Sequence, residues 1–184
     1  MKMIASTKLA KAQRAMVQAK EYGIANIELS KHTESEESST KQRKLFIVIS
    51  SDKGLCGGIH SSVSKATRRA LKSEPVTEGG QAMSIDGESP VMVIGDKSKA
   101  QISRAVPKNL VMAFNQIGRD IPTFSDAAGV ADLVVKSGAE YDSIVIVHNK
   151  FVSSLSYEPV AVEVRNEQGL LKSCEYPILF HFQF

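Results

Sequence analysis

A chain of 184 residues carrying a formal net charge of +3 has room for one domain with a proper core and an appendage, and its charge is too mild to imply nucleic acid by itself. Its two cysteines, Cys56 and Cys174, form no C-x-x-C pair, so neither a zinc cage nor a disulfide framework is indicated, and a reducing compartment fits. No run approaches the ~18 consecutive apolar residues of a helical membrane span.

Residues 1–30 contain no proline and are rich in Ala, Leu, Lys, Gln, Arg and Met, all strong helix formers. Ala5, Leu9, Ala12, Met16, Ala19 and Gly23 alternate by four and three, a heptad seam. A helix of that length runs roughly 45 Å and needs a partner along it; a core helix lying on a sheet is the plainer reading of the same pattern. Lys2, Lys8, Lys11, Arg14 and Lys20 all precede the first acid, Glu21. That run reads as a solvated face or as a surface for an acidic protein partner. No aromatic side chain accompanies it to stack on bases or enter a lipid interface. Met1 falls inside this helical pattern with no capping residue before it, so a piece of a longer polypeptide is expected.

Residues 31–44 hold no apolar side chain and read as a mobile linker. An α/β domain is expected over 45–165. Leu45 to Ile49 is a strand buried on both faces, and Ile59, Val63, Ala66 and Ala70 follow at helical spacing toward a helix end near Lys72. Between them lies Ser50-Ser51-Asp52-Lys53-Gly54-Leu55-Cys56-Gly57-Gly58, a turn in which Gly54, Gly57 and Gly58 permit a tight reversal and Asp52 is expected to bond its own turn. Glycine-rich N–H groups at a helix start can hold phosphate. The alternative to a structural turn is therefore a nucleotide-binding α/β enzyme using Gly54 to Gly58. Neither the G-x-x-x-x-G-K-[ST] spacing nor G-x-G-x-x-G is present.

Val91–Ile94 is a second buried strand, and Asp96 is placed to cap a helix that ends before Pro107. Leu110–Phe114 is a third strand. Ser125 is expected to cap a helix with Ala127, Val130, Ala131 and Val134 on one face, ending at Gly138. Ile144–Val147 is a fourth strand. Beyond it Phe151, Ser153, Leu155 and Tyr157 alternate on one side, and Val160, Val162 and Val164 continue as a half-exposed strand with Pro159 at an edge or bulge. Strand and helix alternate, predicting a Rossmann-like, mostly parallel sheet with crossover helices. The tail from 166 to 184, ending Leu-Phe-His-Phe-Gln-Phe, fits no element.

Chemistry is sparse. His32, His60, His148 and His181 form no ligand cluster at metal spacing. Cys56 and His60 lie one helical turn apart, a spacing a nucleophile pair could use; a buried cysteine beside a helix-start histidine is the commoner arrangement. No G-x-S-x-G elbow accompanies Ser51-Asp52. No catalytic residue, cofactor or metal is expected.

Three stretches carry a resemblance. S-S-D-K-G-L-C-G-G-I-H-S-S resembles the start of the α/β domain in the gamma-subunit family of the rotary F-type ATP synthase. M-K-M-I-A-S-T-K-L-A-K-A-Q-R-A-M is similar to that family's N-terminal shaft helix, and H-N-K-F-V-S-S-L-S-Y-E-P, from His148 to Pro159, is similar to a later strand. The matches occur in family order, and I-H-S-S resembles the mitochondrial type. The resemblance implies a non-catalytic central-stalk rotor subunit, its first helix forming half of an antiparallel coiled coil whose C-terminal partner helix this sequence lacks. It implies as partners the alpha and beta subunits of the catalytic hexamer, small stalk subunits of delta or epsilon type, and the c-ring, on the matrix side of the mitochondrial inner membrane. It also implies that Met1, Lys2, Met3, Lys8 and Lys11 face the acidic segment of the beta subunits.

Overall fold

The computed structural model describes residues 2–31, 43–54, 56–76, 86–117, 121–153 and 156–165. Residues 32–42 of the expected linker, and the tail from 166 on, lie outside them. The elements in order are α1 (Lys2–Lys31), β1 (Lys44–Ile49), α2 (Ile59–Leu71), β2 (Val91–Ile94), α3 (Asp96–Ala105), β3 (Leu110–Phe114), α4 (Phe124–Lys136), β4 (Ser143–Ser153) and β5 (Ser156–Arg165).

The five strands form one sheet in the order β3-β2-β1-β4-β5. β1 pairs in parallel with β2 and β4, and β2 with β3; only β4 and β5 are antiparallel. This is the expected Rossmann-like sheet, with one antiparallel edge. Alternation along the strands gives it two faces. Phe46, Val48, Val91, Val93, Val145 and Val147 point to one side, where α2 and α3 cover them with Val63, Ala66, Ala70 and Ile102. Burying a side chain such as Phe46 completely stabilises the domain by about 1.5–3 kcal/mol.

The opposite face is thinner. α4 supplies only Val130 and Val134, against Leu45 and Met92, while Ile47, Ile94 and Ile144 pack beside them half-buried. Ala127 and Ala131, expected on the same face, are exposed. They lie about 60° round the helix from the two valines, and a helix crossing the sheet at a narrow stripe leaves them outside. Ile49, expected to be buried on both sides, is 41% exposed at the end of β1.

Other expectations shift locally. The cap of α4 is Thr123, not Ser125: its hydroxyl accepts from the Asp126 N–H while the Asp126 carboxylate accepts from the Thr123 N–H, a reciprocal capping box. Gly95, not Asp96, precedes α3, since the chain there takes φ +106, which a residue with a Cβ rarely adopts. The alternating run Phe151–Tyr157 is not one strand. β4 ends at Ser153 and β5 begins at Ser156, with Phe151 paired to Tyr157 across an antiparallel hairpin. Strict alternation reads the same on both sides of a reversal, so the turn left no break in the pattern. Pro159 sits on β5, the edge strand, where its missing N–H breaks no inner ladder.

Candidate functional site

In a doubly wound sheet, ligands bind beyond the strand C-termini where the strand order reverses. Here that point lies between β1 and β4, and the chain leaves β1 there at Ser50. Among the described residues the Asp52 carboxylate bonds outside its own turn. It accepts from the Asp96 N–H at 2.9 Å, at the start of α3, and from the Gln116 N–H at 2.7 Å, just past β3. One side chain thus ties the loops after β1, β2 and β3 together. It also sets a negative charge at the start of α3, which disfavours an anion there.

His60 is buried and fully engaged. Its Nδ1 accepts from the Ser50 hydroxyl at 2.8 Å when Nε2 carries the proton donated to the Lys53 carbonyl at 3.1 Å. Asn149 on β4 donates to the Ile59 carbonyl at 2.9 Å, and Ser98 donates to the His60 carbonyl at 3.4 Å. Cys56, expected to be buried, is exposed, and its thiol points to the Gly54 carbonyl at 3.2 Å. With both His60 nitrogens committed elsewhere, no thiolate–imidazole pair forms. Two glycines have physical reasons: a Cβ on Gly95 would lie 2.7 Å from the Ser51 nitrogen, and one on Gly58 would lie 2.8 Å from the Tyr157 hydroxyl. Gly57 turns the chain with φ +66, whereas Gly54 meets only the flexible end of Lys97. Burial holds the His148 imidazole below its ordinary pKa. Among the described residues no His, Cys, Asp and Glu group could hold a metal, and no helix is long and apolar enough to cross a membrane.

The second candidate surface is α1, a helix of 30 residues. No sheet element packs along it among the described residues. Met3 is 82% exposed, Leu9 52% and Tyr22 65%, with Ile4, Val17 and Ile24 exposed as well. Lys8 and Lys11 are exposed on the same helix. Along the expected seam Ala5, Leu9, Ala12 and Ala19 are open, and Met16 is half-buried. Met1 lies outside the described residues, as does the side chain of Lys2. The structure brings Met3, Lys8 and Lys11 onto one helix, well removed in sequence from the glycine turn.

Fold and surfaces together define a doubly wound α/β scaffold bearing a long, largely uncovered helix. The chain belongs to the ATP synthase family, whose model matches residues 1–173. It is 40% identical over 163 residues to the mitochondrial ATP synthase subunit gamma of Yarrowia lipolytica, covering 89% of this chain and 53% of that protein. It is 36% identical over 158 residues to the gamma subunit of the mitochondrial F(1) complex of Rattus norvegicus, covering 86% of this chain and 55% of that protein. The chain therefore spans about half the length of these relatives. Among solved structures, a chain in the central stalk and c-ring of Tetrahymena thermophila mitochondrial ATP synthase superposes with a TM-score of 0.67 at 25% identity, over 94% of this chain and 75% of that one. A chain in the rotor of the Euglena gracilis enzyme superposes with a TM-score of 0.63 at 13% identity, over 93% and 58%, which shows the shared fold alone.

Proposed function

We propose that this chain is shaft and foot of a mitochondrial-type ATP synthase central stalk, a non-catalytic rotor component that couples proton-driven rotation to conformational cycling of catalytic beta subunits. The observation that carries this reading is α1: six large apolar residues stand exposed on a helix that the described elements of the domain leave largely uncovered, Ile121 alone reaching the pocket beside Ala10, Arg14 and Gln18. Such a helix is stable when another helix lies along it, and two paired helices make the stiff rod that torque requires. The likeness to gamma subunits supplies the context, an antiparallel coiled coil turning inside a ring of alpha and beta subunits, with the α/β domain near small stalk subunits and the c-ring. Its place would be the matrix face of the mitochondrial inner membrane.

Met1, Lys2, Met3, Lys8 and Lys11 would form the face turned toward the beta subunits. A rotor must press on successive partners without sticking, and exposed ion pairs of roughly 0–1 kcal/mol each suit that better than an apolar lock. The structural role of the turn at Asp52, Gly54, Gly57 and Gly58 belongs to the same reading: the foot is a rigid mount, its loops after β1, β2 and β3 tied together by the Asp52 carboxylate.

The test is reconstitution with alpha and beta subunits in a gamma chain extended to the length of the relatives. Lys2, Lys8 and Lys11 changed together to Ala should lower ATP-driven proton pumping per ATP hydrolysed while the α/β domain keeps its melting temperature. Coupling that stays at the parental level would discard the assigned face, and failure of the parental chain to join the hexamer would discard the function.

A further inference from the structure

The helices α2 and α3 lie side by side on the better-covered sheet face, and a groove of about 390 Å³ runs between their outer surfaces. Ser61, Ser64, Lys65 and Arg68 line one wall, at helical spacing along α2; Gln101 and Arg104 line the other, three residues apart on α3. The face of α2 that carries Val63, Ala66 and Ala70 is spent on the core, whereas Lys65 and Arg68 on this second stripe are exposed. Three cationic residues line the groove, with no acidic side chain among the described residues lining it. Among the described residues Lys65, Arg68 and Arg104 have no ion-pair partner.

One further observation points to a ligand. Ser64 is only 4% exposed, and its hydroxyl has no hydrogen-bond partner. Thr67, on the same helix, shows the ordinary solution, donating to the Val63 carbonyl at 2.9 Å. A buried hydroxyl left unpaired costs about 1–3 kcal/mol. That oxygen is closed to solvent in this conformation, and rotation of the Ser64 side chain toward the groove would bring it to an anion held by two guanidinium groups and an ammonium.

We infer that the α2–α3 groove is a binding site for a phosphate-bearing anion, unrelated to the glycine turn. Arg68 and Arg104 stand on opposite walls, and a guanidinium is the side chain able to take two phosphate oxygens at once. Lys65 supplies a point charge, and Gln101 and Ser64 supply neutral donors. The volume falls near the lower end of the ~300–1,000 Å³ range of small-molecule sites, room for a diphosphate. A carboxylate side chain has only two oxygens and would leave part of this donor set unused. The phosphate can belong to a soluble diphosphate or to a phospholipid headgroup; the chemistry recognised is the same.

Titration calorimetry of the full chain with pyrophosphate at low salt reads the site directly. Saturable binding is expected, weakened about tenfold or more by Arg68→Ala and by Arg104→Ala, and unchanged by Lys136→Ala on α4, which alters net charge equally. Ser64→Ala should weaken binding yet raise the melting temperature of the ligand-free chain, because it removes the unpaired hydroxyl. Flotation with phosphatidylglycerol vesicles separates the sources: binding that pyrophosphate displaces and the arginine variants abolish assigns a headgroup, and binding of pyrophosphate alone assigns a soluble ligand. No heat at millimolar pyrophosphate overturns the inference. So does equal weakening by Lys136→Ala, or binding of a polyglutamate peptide where pyrophosphate does not bind.

Discussion

At the scale of single residues the domain's C-terminal edge is held by a carboxylate, a histidine and two glycines. Asp52 was legible as a turn residue, but its partners lie 44 and 64 positions away, and no local pattern encodes a long-range acceptor. His60 was likewise visible only as a possible partner of Cys56; its bond to Ser50 depends on the turn doubling back over α2. The glycines differ in kind. Gly95 combines φ +106 with a Cβ site 2.7–2.9 Å from the backbone of Ser50 and Ser51, which cannot give way. Gly95→Ala should therefore destabilise the domain by at least ~2 kcal/mol, read from the urea midpoint. At Gly58 the backbone is unstrained and the obstacle is the far end of Tyr157. Gly58→Ala should cost under about 1 kcal/mol, and adding Tyr157→Phe should remove most of it. Equal losses at the two glycines would refute this distinction.

At the scale of elements, the long apolar runs told most. Leu45–Ile49 and Val91–Ile94 became β1 and β2 because unbroken apolar runs between turn residues suit parallel strands covered on both faces, and Leu110–Phe114 became β3, an edge strand only half-covered, with Val111 exposed. The β4–β5 hairpin was harder to see, since its partners alternate on either side of an unmarked reversal. Its base carries a pair that composition hides. Lys44 Nζ lies 2.7 Å from Glu163 Oε2, with side chains 9% and 33% exposed, and Glu163 Oε1 accepts from the Ser143 hydroxyl at 2.7 Å. The pair ties β1 to the edge strand across β4. Removing the carboxylate alone leaves a nearly buried ammonium, so Glu163→Ala should lower stability by about 2–3 kcal/mol. The double change Lys44→Met with Glu163→Leu should recover most of that loss, because neither member is then left charged and unpaired. A double variant as unstable as the single one would show that the loss comes from packing rather than from the stranded charge.

At the scale of the molecule, the chain divides into a domain that satisfies itself and a helix that does not. The sheet buries Phe46, Leu45 and Met92 completely, whereas α1 leaves Met3, Ile4 and Leu9 open. Its heptad seam was legible in the sequence; whether that seam faced the sheet or the outside was not, because the same small residues suit either. An isolated helix in water draws little stability from propensity alone, and most helical stability in proteins comes from tertiary packing. Amide hydrogen exchange on the dilute chain should thus show α1 opening with a free energy near zero while β1 and β2 exchange only through global unfolding. In a gamma chain assembled with alpha and beta subunits, protection should rise along Ala5, Leu9, Ala12 and Met16. Strong protection of α1 in the dilute chain, independent of concentration, would mean that the helix already has its partner within this chain. The seam would then be a core surface, and the separation of a self-sufficient foot from a shaft completed by other segments would fail.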